Sequence, residues 1–417
     1  SDNILEYTNG NVTLGILVFV IAAFAIIFGS LTISQIARRT DKPGGLISYI
    51  EEFVGTNYSK AFGWFQVLLY MPTLSAVIPW VVGIYICQLF GIDGNNLTFT
   101  LIGLIVIIFL YLTNILSSRL GGYLQNAATV IKLIPLLTIA VFGLIFGHPV
   151  QTFSSDFDNI THSMVSTGWY AAFAPIAFSF DGWVVSTSIC HEIKNSKKNL
   201  PLALIISPLL ILGLYILYFV GITSYVGVNE VISLGDASAY LAANNIFGEF
   251  GGRLLLIFII ISVLGTANGL ILGYIRIPYS LAIRNMLPGS KILSKESEKF
   301  GGMPLNSAIF SFVINLIWLF IHYITQEYHI PGDVSEISIA FSYILYIVLY
   351  IAILRLMNKE KTEGIIMRYV VPVLAICGSL IIFAGSIANP MFPASVLICA
   401  IVVAFGYFYN MNKSRTN

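Results

Sequence analysis

The sequence predicts an all-α protein that crosses a lipid bilayer many times. Three observations carry that prediction. Of 417 residues, 57% are apolar and only 10% charged, and the mean hydropathy is +0.87; a soluble core of this length could not hide so much apolar surface behind so few charges. Runs of about 20 apolar residues, the length an α-helix needs to cross hydrocarbon, recur along the whole chain. The basic residues gather in alternate connections between those runs. A net charge of +1 gives no sign of a nucleic-acid partner.

In chain order the runs lie at 12–36, 61–90, 97–116, 122–146, 168–191, 201–226, 252–284, 304–323, 335–356, 368–388 and 392–410. Each is read as a helix, because an open strand would leave backbone groups unsatisfied in lipid. The pieces at 46–54 and 236–247 read as short helices lying at the two surfaces.

Orientation follows from the charges. One set of connections carries Arg38, Arg39, Lys42 and Lys60, then Arg119, then Lys194, Lys197 and Lys198. The same side continues with Arg284, Lys291, Lys295 and Lys299, then Arg355, Lys359, Lys361 and Arg368, then Lys413 and Arg415. That accounts for 18 of the 21 Lys and Arg, and the intervening loops at 91–96, 147–167, 227–251, 324–334 and 389–391 carry none. The positive side is the cytoplasmic one, which puts the C-terminus inside and Ser1 outside. Residues 1–11 hold neither the basic nor the apolar part of a leader peptide. A cleaved signal and a further helix before Ser1 both account for that start.

Two features inside the spans carry chemistry. The first is Lys132, in Asn126-Ala-Ala-Thr-Val-Ile-Lys132-Leu-Ile-Pro-Leu-Leu. It lies roughly 20 Å along a helix from Arg119, too deep to reach the surface by snorkelling. A charge there costs about 2.5–3.5 kcal/mol on insertion scales, so it has either a working role or a structural one bonded to helix-end carbonyls. Tyr215 sits at a similar depth in its own span and could accept from Lys132; the bland reading makes it a packing aromatic.

The second is the span 168–191, where Pro175 is followed by Phe178-Ser-Phe-Asp181-Gly182. Asp-Gly at mid-membrane is a poor continuation of a helix and an expensive one to bury. A break there exposes carbonyls at the end of one half-helix and amides at the start of the next, opposite partial charges that suit a zwitterion. Interrupted spans mark substrate sites in secondary transporters. The competing reading is a Pro-kinked packing helix whose second half is capped by Asp181.

Other chemistry finds little support. Cys87, Cys190, Cys377 and Cys399 stand singly in apolar stretches, with no disulfide or metal spacing. His148, His162, His191, His322 and His329 form no ligand pattern. No metal is expected, and no phosphate loop or nucleophile–His conjunction suggests a cofactor or an enzyme. No repeated filter-like segment suggests a channel.

Four motifs resemble those of the amino acid–polyamine–organocation superfamily, and most closely its L-amino-acid transporters, including the light subunits of heteromeric transporters. Phe178-Ser-Phe-Asp-Gly-Trp183 resembles the Phe-Ala-Tyr-Gly-Gly-Trp of the broken sixth helix. Glu192-Ile-Lys-Asn-Ser-Lys-Lys-Asn-Leu-Pro-Leu-Ala203 resembles the loop that follows it. Asn268-Gly, Arg276 and Ala282-Ile-Arg284-Asn-Met-Leu-Pro288 resemble the stretch closing the eighth helix. Lys42-Pro-Gly-Gly45 with Tyr49 resembles the Pro-x-x-Gly-Gly…Tyr turn after the second.

The resemblance implies two inverted five-helix repeats plus two helices in one transporter domain over 1–417. Residues 12–146 are then the remainder of the first repeat, 168–356 the second, and 368–410 the added pair. It also implies a twelfth span before Ser1, carrying the Gly-Ser-Gly amides that hold a substrate carboxylate. The amino group falls to the backbone of Phe178, Ser179 and Asp181, in a substrate-binding stretch Phe178, Ser179, Phe180, Asp181 and Gly182, with Phe178 as an aromatic gate. Lys132 matches a fifth-helix lysine whose ammonium occupies the place of a sodium ion in related carriers. The implied activity is transport of neutral L-amino acids by alternating access, as exchange; the alternative is proton- or sodium-coupled symport. Asp181 stands where the family has Gly, Val184 where a polar residue is common, and Ser196 where Pro is usual. Some relatives attach a single-span glycoprotein through a cysteine between their third and fourth helices. The corresponding Gly91-Ile-Asp-Gly-Asn-Asn96 has none, so no disulfide-linked heavy subunit is expected.

Overall fold

The computed structural model describes residues 2–40, 42, 44–116, 118–152, 163–165, 168–187, 193–235, 237–330, 334–361, 363–389 and 391–409. Pro43, His162, Cys190, His191, Glu192, Lys413 and Arg415 therefore lie outside the described residues. Among those described there is no strand, only an isolated bridge between Ser297 and Met303.

The chain opens with a short helix α1 (Asp2–Tyr7), absent from the sequence reading, which buries Ile4 and Leu5. The first span, α2 (Val12–Ala37), begins where the Asn11 side chain accepts from the Leu14 amide at 2.8 Å, satisfying one of the orphan donors of a helix start. After a Gly-Gly turn comes the short helix expected at 46–54, α3 (Leu46–Phe53), with Leu46, Ile47, Tyr49 and Ile50 buried. The next span starts earlier than its apolar run suggests. It comprises α4 (Thr56–Phe65), a wider π turn at Gln66–Tyr70 and α5 (Met71–Phe90). Pro72, at the second position of α5, has no amide to give the ladder, and the wider turn falls directly before it.

Then come α6 (Asn96–Leu116) and α7 (Ser118–Phe146), the latter with Pro135 inside it. Among the described residues of the span expected at 168–191, a 3-10 turn (Trp169–Ala172) leads into one short α-helix, α8 (Phe173–Phe180). It is followed by α9 (Ser196–Val226), α10 (Val228–Leu234) and α11 (Ala237–Tyr274). The surface helix expected at 236–247 is joined to the span that follows it, with a sharp corner at Gly248 (φ 73°, ψ −178°). Next stand α12 (Arg276–Ala282), α13 (Ser290–Leu293), α14 (Leu305–Glu327) and α15 (Glu336–Glu360). The last two are α16 (Val371–Ser386) and α17 (Phe392–Phe408).

Among the described residues nine helical stretches are long and apolar enough to cross a membrane. The two other expected spans are α17, of 17 residues, and the broken segment around α8. The helices cross where side chains are smallest, as they must when lipid gives no hydrophobic drive to association. A Cβ on Gly143 of α7 would sit 2.3 Å from the Gly221 carbonyl of α9, and one on Gly265 of α11 would sit 2.1 Å from Ala128 Cβ of α7. The lysine helix is thus held between two neighbours at backbone distance.

Contacts among the ends of spans bring the basic loops to one face. Arg39 pairs with Glu360 at 2.6 Å, Lys60 donates to the Tyr409 carbonyl at 2.6 Å, and Trp64 donates to the Met286 carbonyl at 2.9 Å.

Candidate functional site

The break falls where the sequence places it. Helix α8 ends at Phe180; Asp181 is extended (φ −66°, ψ 166°) and Gly182 takes φ +86°. That left-handed backbone is open to glycine and strained for other side chains. The Asp181 amide donates back to the Phe178 carbonyl at 3.0 Å and the Val185 amide to the Gly182 carbonyl at 3.0 Å, closing two turns in place of a continuous ladder. Pro175 lies two residues inside α8, so it does not itself break the segment. The break belongs to Asp-Gly.

Two tyrosines from distant helices hold the opened backbone. Tyr215 of α9 donates to the Ser179 carbonyl at 2.8 Å, and Tyr70 donates to Asp181 Oδ2 at 2.7 Å. Ser179 Oγ turns back to the Pro175 carbonyl at 3.0 Å. Phe180 is buried and meets the Tyr215 ring edge-on at 5.2 Å. Phe178 is half-buried at the mouth of the same region.

A cavity of about 680 Å³ opens on the break, lined among others by Lys132, Phe178, Ser179, Asp181, Gly182 and Tyr215. All seven residues singled out from the sequence line it, Phe180 being the remaining one. α11 completes its wall with Thr266, Gly269 and Gly273. The pairing expected between Lys132 and Tyr215 is not formed among the described residues: the Tyr215 proton goes to Ser179. Lys132 makes no ion pair among the described residues. The cavity therefore offers an ammonium, a carboxylate and the carbonyl end of a half-helix within one space. Charges of both signs in one cavity can complement a small zwitterion.

Sequence reasoning missed Tyr70, which belongs to the π turn before α5, and the tyrosines behind it. Tyr343, Tyr346 and Tyr350 are fully buried on one stripe of α15, and Trp183 packs edge-on to Tyr346 at 6.1 Å. Their spacing of three and four residues is a helix face, a signal that was in the sequence but reads equally as ordinary core. Among the described residues no group of His, Cys, Asp and Glu is placed to hold a metal ion.

Comparison with known proteins accords with this geometry. The family model described as amino acid permease matches residues 3–410. The serine/threonine exchanger SteT of Bacillus subtilis is 29% identical over 99% of this chain and 92% of its own length. The human b(0,+)-type amino acid transporter 1 is 27% identical over 91% of this chain and 76% of its own. The human cystine/glutamate transporter is 27% identical over 67% of this chain and 56% of its own. The chain belongs to the amino acid permease family of the amino acid–polyamine–organocation superfamily, and is a multi-pass membrane transporter rather than an enzyme.

Proposed function

We propose that this protein carries neutral L-amino acids across the cell membrane by alternating access, exchanging one for another. The observation that carries the proposal is the interruption at 180–182, opening on a cavity that also contains Lys132. The substrate ammonium meets the carbonyl end of α8, where the helix dipole is negative, through the backbone of Phe178, Ser179 and Asp181. Phe180 and Gly182 fix the path of that backbone, and Phe178 closes over the bound molecule. Lys132, on the cavity wall that Tyr215 also lines, supplies a fixed positive charge facing the break. The occupied site favours closure on one side, and release permits opening on the other.

In this reading residues 12–146 belong to one repeat, 168–356 to its inverted partner and 368–410 to the added pair, all in a single domain spanning 1–417. The basic face is cytoplasmic and includes the C-terminus. The exchanger among the relatives supports exchange, and the loop 91–96, without cysteine, supports a carrier that has no disulfide-linked heavy subunit.

The test is counterflow. Proteoliposomes loaded with an unlabelled neutral amino acid should accumulate the same labelled amino acid, and empty ones should not. A panel from glycine to leucine, with L-serine and L-threonine included, sets the substrate range. Accumulation in empty liposomes driven by a proton or sodium gradient would replace exchange by symport.

A further inference from the structure

We infer that Arg284 is a positioning residue of the transport cycle: with Glu51 and Ser48 it forms a latch that holds the basic face of the carrier shut. The inference rests on the alternating-access reading above. It joins two motifs that the site itself leaves unused, the Gly-Gly turn at 44–45 and the stretch closing at Pro288.

The geometry is built from both sides. Arg284, just past α12, donates through Nε to Glu51 Oε2 at 2.7 Å and through Nη2 to Ser48 Oγ at 2.6 Å. Its Nη1 turns back to the Ser280 carbonyl at 2.7 Å and Ser280 Oγ at 2.9 Å. The guanidinium thus spreads its planar donors over α3 and α12 at once, which a lysine's single ammonium could not do. Its side chain is 13% exposed, against 62% for Lys42 in the neighbouring pair with Glu52. Gly44 shapes the approach. At φ +111° its Cβ position would fall 2.3 Å from Ser280 Oγ and 2.8 Å from Ser48 Oγ, so a side chain there would be strained and would displace the two hydroxyls that Arg284 bonds.

What the latch covers lies directly below the break. Leu46 and Ile47 of α3, Val184, Val185 and Thr187 after the break, and Ile277 of α12 surround a space of only about 30 Å³. Val185 also lines the large cavity, so this constriction adjoins the site on its basic side and is too small for an amino acid. To pass substrate, α3 must leave α12, and the bonds of Arg284 are what that motion breaks. A partly exposed ion pair suits the task, since it is weak enough to open in each cycle.

The experiment reads access rather than flux. In full-length protein with its four cysteines replaced, Thr187→Cys reports the constriction and Ser386→Cys, at a pocket on the opposite face, serves as control. A membrane-impermeant maleimide is applied to each face of oriented vesicles. Glu51→Gln should raise the Thr187→Cys labelling rate from the basic face by about fivefold, the scale of one partly exposed ion pair, and leave Ser386→Cys unchanged. Arg284→Ala should do the same; where it fails to reach the membrane, Glu51→Gln tests the same bond from its more exposed end. Unchanged labelling at Thr187→Cys would overturn the latch, and so would an equal rise at both sites, which marks general loosening. No amino acid is needed, so a chain that fails counterflow can still show the latch, and one that exchanges can still lack it.

Discussion

A lysine in the middle of a membrane span is a liability to folding, and this fixes the sign of the first prediction. An ammonium at mid-membrane costs about 2.5–3.5 kcal/mol, so Lys132→Ala should leave thermal stability equal or higher while cutting counterflow at least about tenfold, a factor of 1.4 kcal/mol in the cycle. Near-normal exchange of every amino acid in the panel would remove Lys132 from the mechanism. At Ser179 the argument is steric. Its side chain lines the cavity and its carbonyl is held by Tyr215, so Ser179→Phe should abolish substrate-induced thermal stabilisation without unfolding the protein. Unchanged affinity would move the pocket elsewhere. Tyr215→Phe is the milder probe. It deletes one hydrogen bond to a backbone carbonyl, worth about 0.5–1.5 kcal/mol, and should weaken half-saturation by roughly two- to tenfold with the aromatic packing against Phe180 intact.

Among the elements, α7 carries the most exact packing demand. Gly143 and Gly221 let α7 and α9 touch through their backbones, and a Cβ at Gly221 would sit 2.8 Å from Ala140 Cα. Gly221→Val should therefore overpack the crossing and lower stability by about 1–3 kcal/mol, measured as a fall in the midpoint of thermal unfolding in detergent; an unchanged midpoint would mean the crossing is loose. This is also the scale at which the sequence was most legible. Apolar runs marked the spans because lipid forces each one to satisfy its own backbone, and Asp181-Gly182 marked the break because that pair continues a helix poorly and is costly to bury at mid-membrane. The less visible features depend on partners far away in the chain. Tyr70 reaches Asp181 across 111 positions, and its hydroxyl looks like any other in an apolar run. The span containing it starts at Thr56 rather than 61 because Lys60, a charge that ends an apolar run, is buried and donates to the Tyr409 carbonyl. The corner at Gly248 joins two helices that read as separate, since an isolated glycine marks a bend without fixing its angle.

At the scale of the whole molecule the organising quantity is the distribution of charge. Arg39 with Glu360, Lys60 with Tyr409 and Arg284 with Glu51 tie segments hundreds of residues apart into one basic face, whereas the loop 91–96 on the other face has no Lys or Arg. Insertion favours retention of basic loops in the cytoplasm, so one orientation should dominate. The prediction is made with single cysteines in a cysteine-free background, at two exposed sites on opposite faces, Asp93→Cys and Lys359→Cys. In intact cells an impermeant maleimide should label Asp93→Cys and spare Lys359→Cys; in inside-out vesicles the order should reverse. Removing one positive charge at Lys359 leaves the bias of the remaining basic loops in place, so the probe does not disturb what it measures. Labelling of Lys359→Cys in intact cells would invert the molecule. The break and cavity would survive that result, because the site lies between the faces, but the Arg284 latch would then govern the outer door of the carrier instead of the inner one.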